Sequence, residues 1–198
     1  MVGQATAAYF AKVNDEGGIN GRMVTVVNVD DGLAPTQDSG TGAQDYRTGL
    51  EAPALDQQCV GPGATRAGAG GPGEHGGLDD HPGVTDPSDT TWHNDADYKA
   101  WLAWMKKYQP KGNVENSANA SVYVSSAAIP QLLKAAGDDV SREKILKQMT
   151  QLKDFAAPML LPGIMMTMSA DNYNIFHKIQ IMRFDGKRWV AQGKPVGE

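Results

Sequence analysis

The stretch from Ala7 to Gln37 constrains this chain more than any other, because it reads as a helix feeding directly into an apolar strand. Phe10 and Val13 stand three apart with Tyr9 beside them, so one side of the helix faces a core. Gly17-Gly18 supplies the left-handed residue that stops a helix, and Ile19 just beyond is placed to fold back on the last turn. Met23 to Val29 is then an almost unbroken apolar run containing four valines, ending at Asp30-Asp31-Gly32. Such a run predicts a strand covered on both faces, and a strand of that kind calls for a parallel sheet with neighbours on either side.

The string Asn14-Asp15-Glu16-Gly17-Gly18-Ile19-Asn20-Gly21-Arg22, followed by the valine strand and Asp30-Asp31-Gly32, resembles the opening of the branched-chain amino-acid-binding proteins. These are the periplasmic solute receptors of ABC importers. Further along, AAGDDVSREKILKQMTQLKDF, LLPGI and QIMRFDGKRWV resemble the C-terminal portion of the same family, so the likeness covers Ala7–Gln37 and Val84–Gln192. Gln44 to Glu51 (QDYRTGLE) faintly echoes a helix start in the family's second lobe.

What the resemblance implies is an α/β chain with an incomplete type I periplasmic-binding-protein fold. A parallel sheet flanked by helices would be interrupted by a disordered Gly/Ala/Pro-rich middle and closed by a C-terminal β-hairpin. The corresponding division is a first-lobe remnant over 1–37, a low-complexity segment over 38–83, and a C-terminal part, mostly second lobe, over 84–198. With the valine strand lacking its neighbours, the N-terminal unit is expected to be loosely attached.

Local patterning in the C-terminal part is clear. Tyr98, Trp101, Leu102, Met105 and Tyr108 have helical spacing, and a second helix over about Ala120 to Ala136 buries Tyr123, Ala127, Leu132 and Leu133. Pro130 demands a kink or an early stop there. Ser141 caps a third helix whose first turn holds Glu143 and whose stripe is Ile145, Leu146, Met149 and Leu152. Ile175 to Phe184 reads as a strand, with Asp185-Gly186 as a two-residue turn into Lys187–Ala191.

Composition limits the function. A net charge of −5 and a pI near 5.3 argue against a nucleic-acid footprint, which would be basic. No run approaches the roughly 18 apolar residues of a membrane span, so no membrane insertion is expected. The start, Met1-Val2-Gly3-Gln4, has neither a basic nor an apolar leader region, so no signal peptide is written in this sequence. Cys59, the single cysteine, sits in a glycine-rich segment and reads as a free thiol without a role.

No enzyme constellation emerges, and no cofactor is implied. His75, Asp79, Asp80 and His81 could ligate a metal, but a glycine-rich coil holds no fixed geometry, and solvated coil is the preferred reading. GPGATRAGAGGPGEHGG lacks the spacing of a phosphate-binding loop. The pairs Asp30-Asp31 and Asp138-Asp139 both precede turns, where Asp bonds its own backbone, so they read as turn residues rather than acid–base pairs. Tyr98, Trp101, Trp104 and Tyr108 fit packing on a sheet better than a ligand surface, and Met159, Met165, Met166 and Met168 read as pliable core. His177 has no nucleophile at recognisable spacing.

By resemblance the partners are a small-molecule ligand (a branched-chain amino acid or related amide) held between two lobes, and an ABC permease, in the periplasm. The alternative is a cytoplasmic amide-type sensor of the same fold. Carrying ligand contacts over residue by residue leaves one position, Ser121, near the start of the second C-terminal helix. The first-lobe Ser and Ala-Thr turns have no counterpart between Pro35 and Gln44, and Gly42 stands where an aromatic contact belongs. The implied protein is an internally deleted and impaired copy.

Pro53 to Pro82 has no period of 2 or 3.6 and few aliphatic residues, so it buries too little to offset the entropy of ordering it. Two readings fit: a flexible linker, or a segment translated out of frame from a GC-rich gene. Family-like sequence on both sides favours the second. Resequencing the locus is expected to reveal a shifted frame, and an uninterrupted frame in several isolates overturns that reading.

Overall fold

A computed structural model describes residues 2–28, 78–81 and 83–197. In chain order the elements are α1 (Val2–Asp15), β1 (Leu78–His81), a 3-10 turn (Thr90–Asn94), α2 (Ala96–Tyr108), α3 (Ser117–Ala136), α4 (Arg142–Met149), β2 (Lys178–Phe184), β3 (Trp189–Ala191) and β4 (Val196–Gly197). The mixed helix-and-sheet architecture and the C-terminal hairpin match expectation.

The helical stretch at the N-terminus is longer than its pattern suggested and is firmly packed. Ala5, Ala8, Tyr9, Phe10 and Val13 form one buried face of α1, in a single core with Trp101, Trp104 and Met105 of α2 and Ala120, Tyr123, Val124 and Ala127 of α3. The expectation of a loosely attached N-terminal unit is therefore corrected. Gly17 and Gly18 end the helix at φ 100° and 74°, and a Cβ on Gly18 would run into the Arg22 carbonyl. Ile19 and Arg22 then bridge through reciprocal backbone bonds of 2.8 and 2.9 Å. Between them Asn20 (φ 50°) and Gly21 (φ 75°) both take positive φ, the geometry for which Asn-Gly is the favoured pair.

This tight turn docks on the far end of α3. The Asn20 amide donates to the carbonyls of Leu133, Lys134 and Gly137 at 3.3–3.4 Å, satisfying groups that a helix end leaves open. Arg22 reaches Asp138 by an ion pair of 2.9 Å.

The valine run departs from expectation. Residues 23–28 join no ladder among the described residues. Val24 and Val26 pack against the core, whereas Met23 is 69% and Val27 71% exposed. Without a neighbouring strand the segment buries only alternate side chains, on one face. The Asn14 side chain replaces a strand neighbour at one point, donating to the Val24 carbonyl and accepting from its N–H, both at 2.8 Å. Asp30-Asp31-Gly32 and the remainder of the stretch to Gln37 lie outside the described residues.

Asp95 caps α2 by accepting from the Asp97 and Tyr98 amides, and Asn116 caps α3 at the Ala118 amide. Helix α3 runs through buried Pro130 to Ala136, so no early stop occurs. Ser141 caps α4 as expected, accepting from the Lys144 amide, though only Ile145 of its stripe is fully buried and Leu146 is exposed.

The sheet is antiparallel throughout the described residues, rather than the parallel sheet expected. Its order is β1-β2-β3, with β4 pairing the start of β2. Phe184 pairs with Trp189, and the Asp185 N–H donates to the Arg188 carbonyl at 3.0 Å. The turn proper is thus Gly186-Lys187, one residue later than read, because the Asp185 carboxylate accepts the Lys187 and Arg188 amides and fixes the corner. Part of the stretch read as low-complexity, Leu78–His81, forms β1 against β2. Ladder bonds are made by backbone, so such a strand needs no apolar run. Residues 38–77, and with them most of the glycine-rich middle, lie outside the described residues.

If α1 belongs to the core, Phe10→Ala lowers the unfolding free energy by about 3–5 kcal/mol. Tyr173→Ala, at a 58% exposed site, changes it by less than about 0.5 kcal/mol. Urea denaturation of both variants checks this, and equal stabilities would remove α1 from the core.

Candidate functional site

A small cavity lies where the 83–92 segment meets the sheet. The segment is anchored by the Thr85 amide on the Met159 carbonyl (2.8 Å) and by the Leu161 amide on the Gly83 carbonyl (2.6 Å). Two successive Asp-x-Ser/Thr turns then shape it. Asp86 accepts from the Ser88 amide and hydroxyl at 2.9 and 2.8 Å, and Asp89 accepts from those of Thr91 at 2.9 and 2.7 Å. The hairpin turn brings Arg188 over the second: its guanidinium pairs with Asp89 at 3.4 Å and donates to the Thr91 hydroxyl. Both carboxylates line the cavity, with Trp92 and Trp189 as aromatic walls and Val84, Leu161 and Met182 as its apolar lining.

The Asp89 side chain is 13% exposed. Burial pushes its carboxyl up, but the Thr91 amide and hydroxyl and the Arg188 guanidinium together outweigh burial and hold it below its ordinary range. The carboxylate is therefore an anchored anion, not a proton donor or acceptor near neutrality. The cavity encloses about 20 Å³, room for one water molecule. Sites for small organic ligands occupy roughly 300–1,000 Å³, so an amino acid does not fit this cavity.

The residues singled out from the sequence do not converge on it. Ser121 is half-buried on α3 and donates to the Ser117 carbonyl at 3.1 Å, while Ser125 donates to the Ser121 carbonyl at 2.9 Å. Tyr98, Trp101 and Trp104 are core side chains, and the Tyr108 hydroxyl donates to Asp15 at 2.9 Å. Burial, then the nearby Tyr123 and Glu16, push the Tyr9 phenol up to about 12, so it stays neutral in the core. Asp138 carries the Arg22 ion pair, and hydrogen bonds from Ser141 hold Asp139 low, both as turn residues. Met159, Met166 and Met168 are buried, whereas Met165 is exposed. The His177 ring meets the Asn174 carbonyl at 2.9 Å.

Asp79, Asp80 and His81 stand in β1 rather than in coil, while His75 and Cys59 lie outside the described residues. Among the described residues no group of three or more His, Cys, Asp or Glu is arranged to hold a metal, and no helix is long and apolar enough to cross a membrane.

Sequence reasoning missed the Asp89–Thr91–Arg188 cluster. The doubled Asp-x-Ser/Thr spacing was a usable signal for its local half. Arg188 had none, since 99 positions separate it from Asp89. A carboxyl lowered in the folded state adds stability that is present above its unfolded value, near 3.8, and is lost as pH falls through the folded value. Asp89→Asn is therefore expected to melt lower than the parent at pH 7, the gap closing as pH falls below 3.8. A melting-temperature series against pH with a constant gap would remove the ionised carboxylate from the account.

Among known proteins, no curated protein and no solved structure matches the chain. A family model for periplasmic binding protein matches residues 49–189, which takes in β1, α2, α3, α4, the residues lining the cavity and β2 but only the first residue of β3, and leaves out α1 and the Asn20-Gly21 turn. Helices beside a small sheet agree with part of that fold. With well over half of its residues inside the match, the chain belongs to the periplasmic-binding-protein family, a family of solute-binding proteins.

Proposed function

We propose that this chain is a solute-binding protein of an ABC-type branched-chain amino-acid importer, in an internally deleted and impaired form. It would act in the periplasm, holding the amino acid between two lobes and presenting it to a permease. The observation that carries this reading is the family match over residues 49–189. The finer assignment to branched-chain amino acids rests on the Asn14–Arg22 string and on the LLPGI and QIMRFDGKRWV strings. In the same reading residues 1–37 are the first-lobe remnant, 38–83 the interrupting segment and 84–198 the C-terminal part.

Ser121 is the proposed ligand contact. A hydroxyl has one donor and two acceptor sites, and the bond to Ser117 uses only the donor. Its lone pairs can accept from an ammonium while the helix bond stays intact. The water-sized cavity beside Asp89 is not the ligand site in this reading; Asp89 and Arg188 there tie the hairpin to the 83–92 segment.

Calorimetric titration of the full chain with leucine, isoleucine, valine and small amides tests the proposal. Saturable heat with at least one of the three amino acids is expected. Ser121→Ala should weaken that binding by about 2–10-fold, the worth of one hydrogen bond. A response to amides alone points to the sensor instead, and silence towards all three amino acids at about 10 mM, about ten times the 1 mM Kd that corresponds to roughly −4 kcal/mol, overturns the transport reading.

A further inference from the structure

The Asn20-Gly21 turn brings a reactive dipeptide to the surface and uses it as a fastener. Asn20 is the one asparagine of the chain that a glycine follows. Glycine has no side chain to hinder its nitrogen, so the Gly21 amide is easily brought against the carboxamide of the residue before it. Both residues are exposed, no described residue accepts from the Gly21 N–H, and the space beside its Cα is open. The Asn20 carboxamide is nonetheless engaged. Its nitrogen donates to the carbonyls of Leu133, Lys134 and Gly137 at 3.3–3.4 Å, and Arg22, two residues on, pairs with Asp138 at 2.9 Å. The reactive group and the latch are the same atoms.

We propose that Asn20 is a deamidation site, guarded while the turn is docked on α3 and converted, once it reacts, into a group that the dock rejects. The Gly21 nitrogen gives its proton to water and attacks the carbonyl carbon of the Asn20 side chain. The bond from that carbon to the amide nitrogen breaks and ammonia leaves, closing a succinimide ring. Water then opens the ring, at the side-chain carbonyl to give aspartate or at the backbone carbonyl to give isoaspartate. Water is consumed and ammonia released, and no oxidant, reductant or cofactor is needed. Ring closure swings the side-chain carbon onto the Gly21 nitrogen and so lifts the amide off the carbonyls of α3. The hydrogen bonds there and the adjoining ion pair both oppose that movement.

Either product is wrong for the dock. An aspartate at this position sets an acceptor-only carboxylate where a donor stood, against carbonyl oxygens at the negative end of the α3 dipole. Isoaspartate routes the main chain through an extra carbon, so Ile19 and Arg22 no longer face each other across the tight turn that their bonds of 2.8 and 2.9 Å close. Because the ammonia is lost, the carboxamide does not re-form. A brief undocking of the turn that ends in reaction thus becomes a lasting release of the end of α1 from α3. None of this requires a bound solute.

Peptide mapping by mass spectrometry of the full 198-residue chain, aged in neutral buffer with and without unfolding urea, tests it. Asn20 is expected to exchange its amide for a carboxylic acid, as aspartate and isoaspartate, at least about tenfold more slowly in the native chain than in urea. Arg22→Glu, which sets a second carboxylate against Asp138, should raise the native rate about three- to tenfold and leave the urea rate unchanged. Asp138→Ala, which removes the same ion pair from the α3 side, should also raise the native rate. Asn20→Asp, the aspartate product made directly, should melt below the parent. Equal rates in the native chain and in urea, no conversion of the native chain, native rates unmoved by both variants, or an Asn20→Asp chain as stable as the parent would each overturn the proposal.

Discussion

Three rings hold this molecule together. Tyr9 of α1, Trp104 of α2 and Tyr123 of α3 meet with centroid separations of 4.8, 5.2 and 6.4 Å, in tilted and edge-to-face arrangements. Each ring touches the other two, so each pair of helices is joined through this one point. Aromatic pairs in such geometry contribute about 0.5–1.5 kcal/mol each beyond the area they bury. The Trp104 indole N–H adds a bond of 3.3 Å to the Ala8 carbonyl, which fixes its ring against the α1 backbone. Among the described residues there are four helices and a small sheet, and none of these buries enough surface to stand alone.

Polar side chains finish what the aromatic junction begins. Asn14 takes the place of a strand beside Val24, Asn20 takes the place of a further helical turn at the end of α3, and Asp15 receives both Lys107 and the Tyr108 hydroxyl at the end of α2. Lys107 and then Tyr108 hold the Asp15 carboxyl below its ordinary range, as expected of an anion with two donors. These ties are largely exposed, and exposed ion pairs stabilise little. Their effect is on geometry: they fix the direction in which the chain leaves α1, and so the way Met23–Asn28 lies across the core.

How much of this was legible beforehand follows from the range of each interaction. Helices α2 and α3 were readable because their buried residues recur at helical spacing, and α4 because its cap, Ser141, stands in the adjoining sequence; the caps Asp95 and Asn116 were not read. The Asn14–Arg22 string was legible as a helix stop but not as a cap for α3, since Asn20 and Leu133 are 113 positions apart. The valine run was misread because apolar composition does not reveal whether a neighbouring strand exists. β1 was invisible for the opposite reason: LDDH carries no strand pattern and owes its place to the ladder offered by β2. The candidate site was the least legible part, because its two halves, Asp89 and Arg188, are brought together only by the hairpin.

The aromatic junction also bears on how a ligand could be gripped. A binding protein that closes on its solute needs two bodies able to move against each other at small cost. Helices α1 and α3 are not such a pair. To separate them, the chain would have to part Tyr9 from Tyr123, withdraw Asn20 from the carbonyls at the end of α3 and break Arg22 from Asp138. Parting the two buried rings would also expose the core that α1 shares with α2 and α3. Packed cores of this kind shift between discrete arrangements instead of deforming smoothly. Any movement that closes on a solute therefore has to leave the α1–α3 contact intact and carry those two helices as one body.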